Sequence, residues 1–194
     1  MDKLEELRAS IEHTWPYIDE TGMGSGVCAP ERFARNLGAV VIIALHKNRI
    51  IGAACGEPLM HEAASLGDPL IRNGEAIEDF FYFAQLLLDD AYRGMDLEEK
   101  LFEAIEHHAR EIGFARVNFC ADYAMDSTLE RTGPKKTKED RAIETLWRTR
   151  NYRPLMGARF SPQADPDQDM QIWVKDLNID QQREQKGRRK AVAG

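Results

Sequence analysis

Apolar residues follow two rhythms along this chain, and the changes of rhythm mark its elements. Phe81-Phe-Tyr-Phe-Ala-Gln-Leu-Leu-Leu88 is a nearly unbroken aromatic and aliphatic run, which predicts a buried strand. The polar stretch Asp89-Asp-Ala-Tyr-Arg-Gly94 then turns the chain, with Gly94 able to take a positive φ. Beyond it Leu97, Leu101, Ala104, Ile105, His108 and Ile112 recur at helical spacing, and Gly113 suits the C′ position. Arg116-Val-Asn-Phe-Cys-Ala121 returns to strand character. The unit predicted is strand, turn, helix, strand. Its helix begins soon after a strand and aims its first free N–H groups at one point, a ready site for phosphate.

The flanks supply further elements. Leu4, Leu7, Ile11, Trp15 and Ile18 lie on one helical stripe, and Pro30 can open a short helix through Leu37. Val40 to Cys55 reads as a hairpin turned at His46-Lys-Asn-Arg49. Pro58 to Asp79 is rich in Gly, Pro and Asp and predicts a loop with one helical turn over a site. Ala124 to Asp140 is polar, and reads either as a surface excursion or as the lining of an acceptor pocket. Thr145 to Pro154 predicts a late helix and its exit turn, and Asp169 to Asp176 a final strand. No repeat and no second domain interrupts this order. One domain is expected over residues 1–177, with a polar, disordered tail over 178–194.

Composition narrows the class. The 194 residues can bury a real core, and 43% hydrophobic content excludes wholesale disorder. A net charge of −7 argues against broad attraction to nucleic acid, the basic stretch Arg183 to Lys190 reading as a solvated tail. The longest apolar run, Ala39 to Leu45, is far shorter than the roughly 20 residues of a membrane span. No leader pattern opens the chain, so a cytoplasmic, reduced protein is expected, without membrane or nucleic-acid partners. Cys28, Cys55 and Cys120 have no metal-like spacing. His107 and His108 diverge by about 100° on their helix and cannot chelate together, so no metal is expected.

Residues 86–102, Leu-Leu-Leu-Asp-Asp-Ala-Tyr-Arg-Gly-Met-Asp-Leu-Glu-Glu-Lys-Leu-Phe, resemble the fourth strand, pyrophosphate loop and third helix of the GCN5-related N-acetyltransferases. That loop reads Gln/Arg-x-x-Gly-x-Gly/Ala; Arg93 fits its first place, while Asp96 and Glu98 replace both glycines. The hairpin is similar to the family's second and third strands. Asn151-Tyr-Arg-Pro154 is similar to its exit turn, which often reads Gly-Phe/Tyr-x-Pro. The likeness spans roughly residues 38–176. It implies an α/β fold: a mixed, mostly antiparallel sheet of about six strands flanked by helices, with strands four and five parallel. A strand ahead of Leu4 would have little sequence to occupy.

The resemblance implies an enzyme moving an acetyl group from acetyl-coenzyme A to an amine of a small molecule or side chain, and it allows a homodimer. Leu86, Leu87 and Leu88 would hold the pantetheine through backbone groups, one N–H facing the thioester oxygen. Arg93, Gly94, Met95, Asp96, Leu97 and Glu98 would hold the pyrophosphate. Gln85 stands where the family often has a glutamate base, and Trp147 where it often has a tyrosine acid; neither moves protons near neutral pH. Glu57, Asp122 and Tyr123, at strand ends, are the candidate catalytic groups. Asp96 and Glu98 also allow another reading. Asp96-Leu-Glu-Glu99 has capping-box spacing, so internal carboxylates could satisfy the helix donors and leave a catalytically silent binding module. A third reading is a receptor for acyl carriers or longer acyl-coenzyme A, lidded by the insertions.

Overall fold

The computed structural model describes residues 35–62, 64–122, 138–160 and 169–178. Within them lies one six-stranded sheet: β1 Val40–His46, β2 Arg49–Pro58, β3 Phe80–Leu88, β4 Arg116–Asp122, β5 Arg153–Phe160 and β6 Met170–Asp176. The spatial order is β1-β2-β3-β4-β6-β5, and only β3 and β4 run parallel. These are the strands numbered four and five in the sequence reading. Their labels fall by one because no strand precedes the hairpin among the described residues. The helix Leu4–Ile18, Trp15 and the tail lie outside those residues.

Among the described residues three helices cover the sheet: α1 Ala64–Arg72, α2 Leu97–Glu111 and α3 Lys138–Thr149. α2 crosses from β3 to β4, as a parallel connection requires. It ends in a Schellman turn: Phe114 N–H donates to Ala109 O at 2.9 Å, Gly113 N–H to Arg110 O at 3.1 Å, and Gly113 sits at φ +96°. α3 ends the same way at Asn151, φ +68°, with Tyr152 N–H donating to Trp147 O at 2.9 Å. Asparagine is one of the few residues besides glycine that takes this left-handed conformation readily.

The two faces of the sheet carry separate cores. Under α2 and α3, Phe81, Phe83, Phe119 and Trp173 pack with Phe102, Ile105 and Trp147. Phe119 lies 4.8 Å from Trp147 and 6.3 Å from Trp173, ring centre to ring centre. An ion cluster closes this side. Glu106 accepts from Arg150 at 2.7 Å and from Lys175 at 2.8 Å, and Glu106 and Lys175 are both buried. Burial pulls the Arg150 guanidinium down in pKa, but the hydrogen bond and charge of Glu106 outweigh it and leave it raised. On the opposite face Leu66 and Leu70 of α1 pack among Phe80, Cys55, Cys120, Ile172 and Val174.

Two elements differ from the sequence reading. The segment expected as a loop with one helical turn holds the nine-residue α1 and two flanking 3-10 turns. Pro69 lies inside α1, where it removes one hydrogen bond, but burying Leu66 and Leu70 outweighs that loss. In the sequence β5 shows only as an exit turn. It pairs with β6 at Arg153 and Pro154, then again at Arg159 and Phe160, with the residues between out of register. Such a strand leaves no alternating pattern. Among the described residues no helix is long and apolar enough to cross a membrane.

Candidate active site

The site begins where β3 and β4 part. They pair at Phe80–Arg116, Phe81–Val117 and Tyr82–Asn118, and no further. β3 runs six residues beyond Tyr82 while remaining paired to β2 up to Leu88–Gly52. The cause is local. Cys55 opposes Gln85 and Gly56 opposes Phe83, so Ala84 is an extra residue, and a bulge of this kind bends and twists its strand. Gly56 permits the bend, because a Cβ there would lie 2.4 Å from Phe81 Cε1 and 2.7 Å from the Tyr82 carbonyl oxygen. The three pantetheine candidates Leu86, Leu87 and Leu88 lie beyond the bulge, on the diverging half of β3, and all are buried.

The loop after β3 is braced from the hairpin. Asp89 N–H donates to Ile51 O at 2.8 Å, Arg49 donates to the Asp89 carboxylate at 2.9 Å, and His46 Nδ1 lies 2.6 Å from the Tyr92 hydroxyl. Asp89 Oδ1 accepts from Ala91 N–H, an Asx turn that starts the loop. Gly94 follows at φ +72° and Asp96 at φ +60°, so both take glycine-type backbone. Asp96 is the N-cap of α2 but makes no side-chain cap hydrogen bond. Glu99 reaches Arg150 at 3.5 Å instead of turning back to Asp96. The capping box is therefore not formed, because a left-handed Asp96 departs from the extended conformation that N-cap residues typically take. The loop fits an anion on this observation: its backbone has the glycine conformation, and the Asp96 carboxylate does not occupy the helix donors. Met95 and Asp96 are exposed, and Leu97 and Glu98 partly so.

The face opposite α2 holds the polar groups. Glu57 on β2 opposes Tyr82, which in turn opposes Asn118 on β4, giving one row across three strands. Glu57 is fully buried and accepts a hydrogen bond from Asn36. Tyr82 hydrogen-bonds the buried Cys120 thiol. Burial, and then the charge of Glu62, push that thiol's pKa well up, and the Tyr82 bond offsets them only in part. Gln85 and Asn118 are buried in the same region. Asp122 ends β4 four residues beyond Asn118, about 13 Å along the strand, so it does not share the Glu57 row. Its side chain, and Tyr123 entirely, lie outside the described residues. Trp147 is buried among aromatic rings on the α2 face, away from this row. Sequence reasoning weighed Gln85 only as a failed base and passed over Asn118. The one available signal was a polar residue at alternating position in an otherwise apolar strand.

No protein-family model matches the sequence, and no curated protein matches it. Solved structures do. A Streptococcus mutans protein superposes with a TM-score of 0.58 at 11% identity, covering 91% of this chain and 94% of its own. A Desulfovibrio desulfuricans protein described as an acetyltransferase of the GNAT family gives 0.58 at 12% identity, covering 91% and 92%. An acetyltransferase of that family from Staphylococcus aureus gives 0.56 at 13% identity, with 91% and 92% covered.

Proposed function

From the fold of the GCN5-related N-acetyltransferases, which this chain has, we propose that it is an acyl-coenzyme A-dependent N-acyltransferase, moving acetyl from acetyl-coenzyme A to an amine of a small molecule or side chain. The observation that carries the reading is the parting of β3 from β4 after the Tyr82–Asn118 pair. An extended arm fits between the strands, with β3 amides beyond Ala84 supplying fixed donors for a developing oxyanion. The loop from Arg93 to Glu98 would cradle the diphosphate at the start of α2.

Glu57 is the base we assign. Its carboxylate is held by Asn36, and it is buried on the face opposite α2, in the row with Tyr82 and Asn118. In the transfer the amine nitrogen bonds to the acetyl carbon and the C–S bond breaks. The amine proton passes to Glu57, and the departing thiolate takes a proton from water. Asp122 and Tyr123 remain proposals for relaying that proton. Thermal shift with acetyl-coenzyme A and thiol release with an amine panel test the reading. Stabilisation with turnover supports it. Neither effect at millimolar acetyl-coenzyme A would favour the silent module, in which the carboxylates of Asp96 and Glu98 repel the phosphates.

A further inference from the structure

Two buried carboxamides beside the strand divergence have no hydrogen-bond partner. Gln85 lacks one at both Oε1 and Nε2, and Asn118 at both Oδ1 and Nδ2; each residue is 0% exposed. Burying polar groups unpaired is costly, and in native proteins such groups mark a role or a missing ligand. The indole N–H groups of Trp147 and Trp173 are also unpaired. Each of those is a single donor among aromatic rings, to which an N–H can point. A carboxamide leaves both a donor and an acceptor unanswered.

Their placement is specific. Gln85 opposes Cys55, and Asn118 opposes Val174. Cys55 and Val174 both belong to the core under α1. Side chains directly opposite in a sheet share a face, so both carboxamides project away from α2. The loop that fits the phosphates opens α2, on the other side. The polar pair therefore faces the acceptor side of the gap, together with Glu57, Tyr82 and Glu62. The roof there is α1, a short helix carried on the excursion between β2 and β3.

We infer that Gln85 and Asn118 recognise the acceptor, and that the acceptor is a primary amine carrying a carboxamide or peptide group beside its nitrogen. This rests on the transferase reading. An amide supplies an N–H and a C=O, the complement of each unpaired side chain. A carboxylate offers no donor and would meet the like charges of Glu57 and Glu62. An alkyl group answers none of the four atoms. The two glutamates suit an amine that arrives protonated.

The test compares aminoacyl amides, the same amino acids as free carboxylates, and alkylamines of equal length, in the parent and in Gln85→Met and Asn118→Leu. The parent should favour amides over alkylamines by about tenfold or more in kcat/KM, as expected when a site's hydrogen-bonding groups go unanswered. Each variant should lose most of that preference. Its melting temperature should hold or rise, and its stabilisation by acetyl-coenzyme A should stay unchanged. An unchanged preference overturns the inference. So does a fall in melting temperature in both variants, which would make the carboxamides structural, or a lost acetyl-coenzyme A shift, which would assign them to the other substrate. Turnover without amide preference sinks this inference and leaves the transferase reading standing. A parent that turns nothing over is decided by calorimetry with the aminoacyl amides. No binding overturns the inference, and binding that the variants lose supports it.

Discussion

On the face under α2 and α3, the charged groups are bonded, Glu106 accepting from both Lys175 and Arg150, whereas under α1 the buried carboxamides of Gln85 and Asn118 are bonded to nothing. Both faces belong to the same strands, and Glu106, Lys175, Gln85 and Asn118 are all buried. The first uses its buried charges to hold the fold. The second keeps unpaired polar groups at the place where the strands part, and groups of this kind call for an explanation. On the transferase reading, stability and chemistry divide between the two sides of β3 and β4, and substitutions on each side should separate the two.

The largest effect is expected on the helical side. Glu106→Ala removes the buried carboxylate that Lys175 and Arg150 share, leaving Arg150 the more distant Glu99, and should cost about 3–5 kcal/mol in denaturant unfolding. Glu57→Gln, on the other face, keeps an acceptor for Asn36 and should leave the melting temperature nearly unchanged. Steady-state kinetics should show kcat lower by about 100-fold or more, as for loss of a general base. A variant that unfolds instead would make Glu57 a structural residue.

Gly56→Ala strikes the bulge itself. Its Cβ cannot fit against Phe81 and the Tyr82 carbonyl, so a loss of about 1–3 kcal/mol and weaker acetyl-coenzyme A binding should appear together.

Cys120 gives a pH signature. Its folded pKa is raised, so the unfolded chain loses the thiol proton first, and stability falls as pH climbs through about 8.5 and beyond. The slope is at most about 1.4 kcal/mol per pH unit, and Cys120→Ala should remove it from thermal unfolding followed between pH 8 and 10. The smallest effect belongs to the loop. Asp96→Gly keeps the left-handed backbone and removes a negative charge, so acetyl-coenzyme A should bind about two- to fivefold tighter by calorimetry. Because no cap is lost, the melting temperature should barely move.

Much of the sheet was legible because its strands obey their period. The Phe81–Leu88 run, the hairpin and the helix stripe through Leu101 and Ile105 all fold as their apolar positions direct. α1 and β5 were hidden because Pro69 imitates a helix breaker and β5 loses register midway. The loop before α2 was hidden for a different reason. Residue type at Asp96 suggested a cap, but its backbone keeps the glycine conformation, as Asn151 does after α3. Residue type alone does not report this conformation; only φ reveals it. The bulge at Ala84 leaves no trace in composition, so the divergence could be inferred from the resemblance alone.

Amide hydrogen exchange across β3, with and without acetyl-coenzyme A, tests the divergence most directly. The account predicts added protection from Phe83 to Leu88 and around Gly94 to Glu99, with Phe80 to Tyr82 unchanged, since these three residues already pair with β4. Binding that leaves Phe83 to Leu88 as exchangeable as before would place the ligand elsewhere and contradict it.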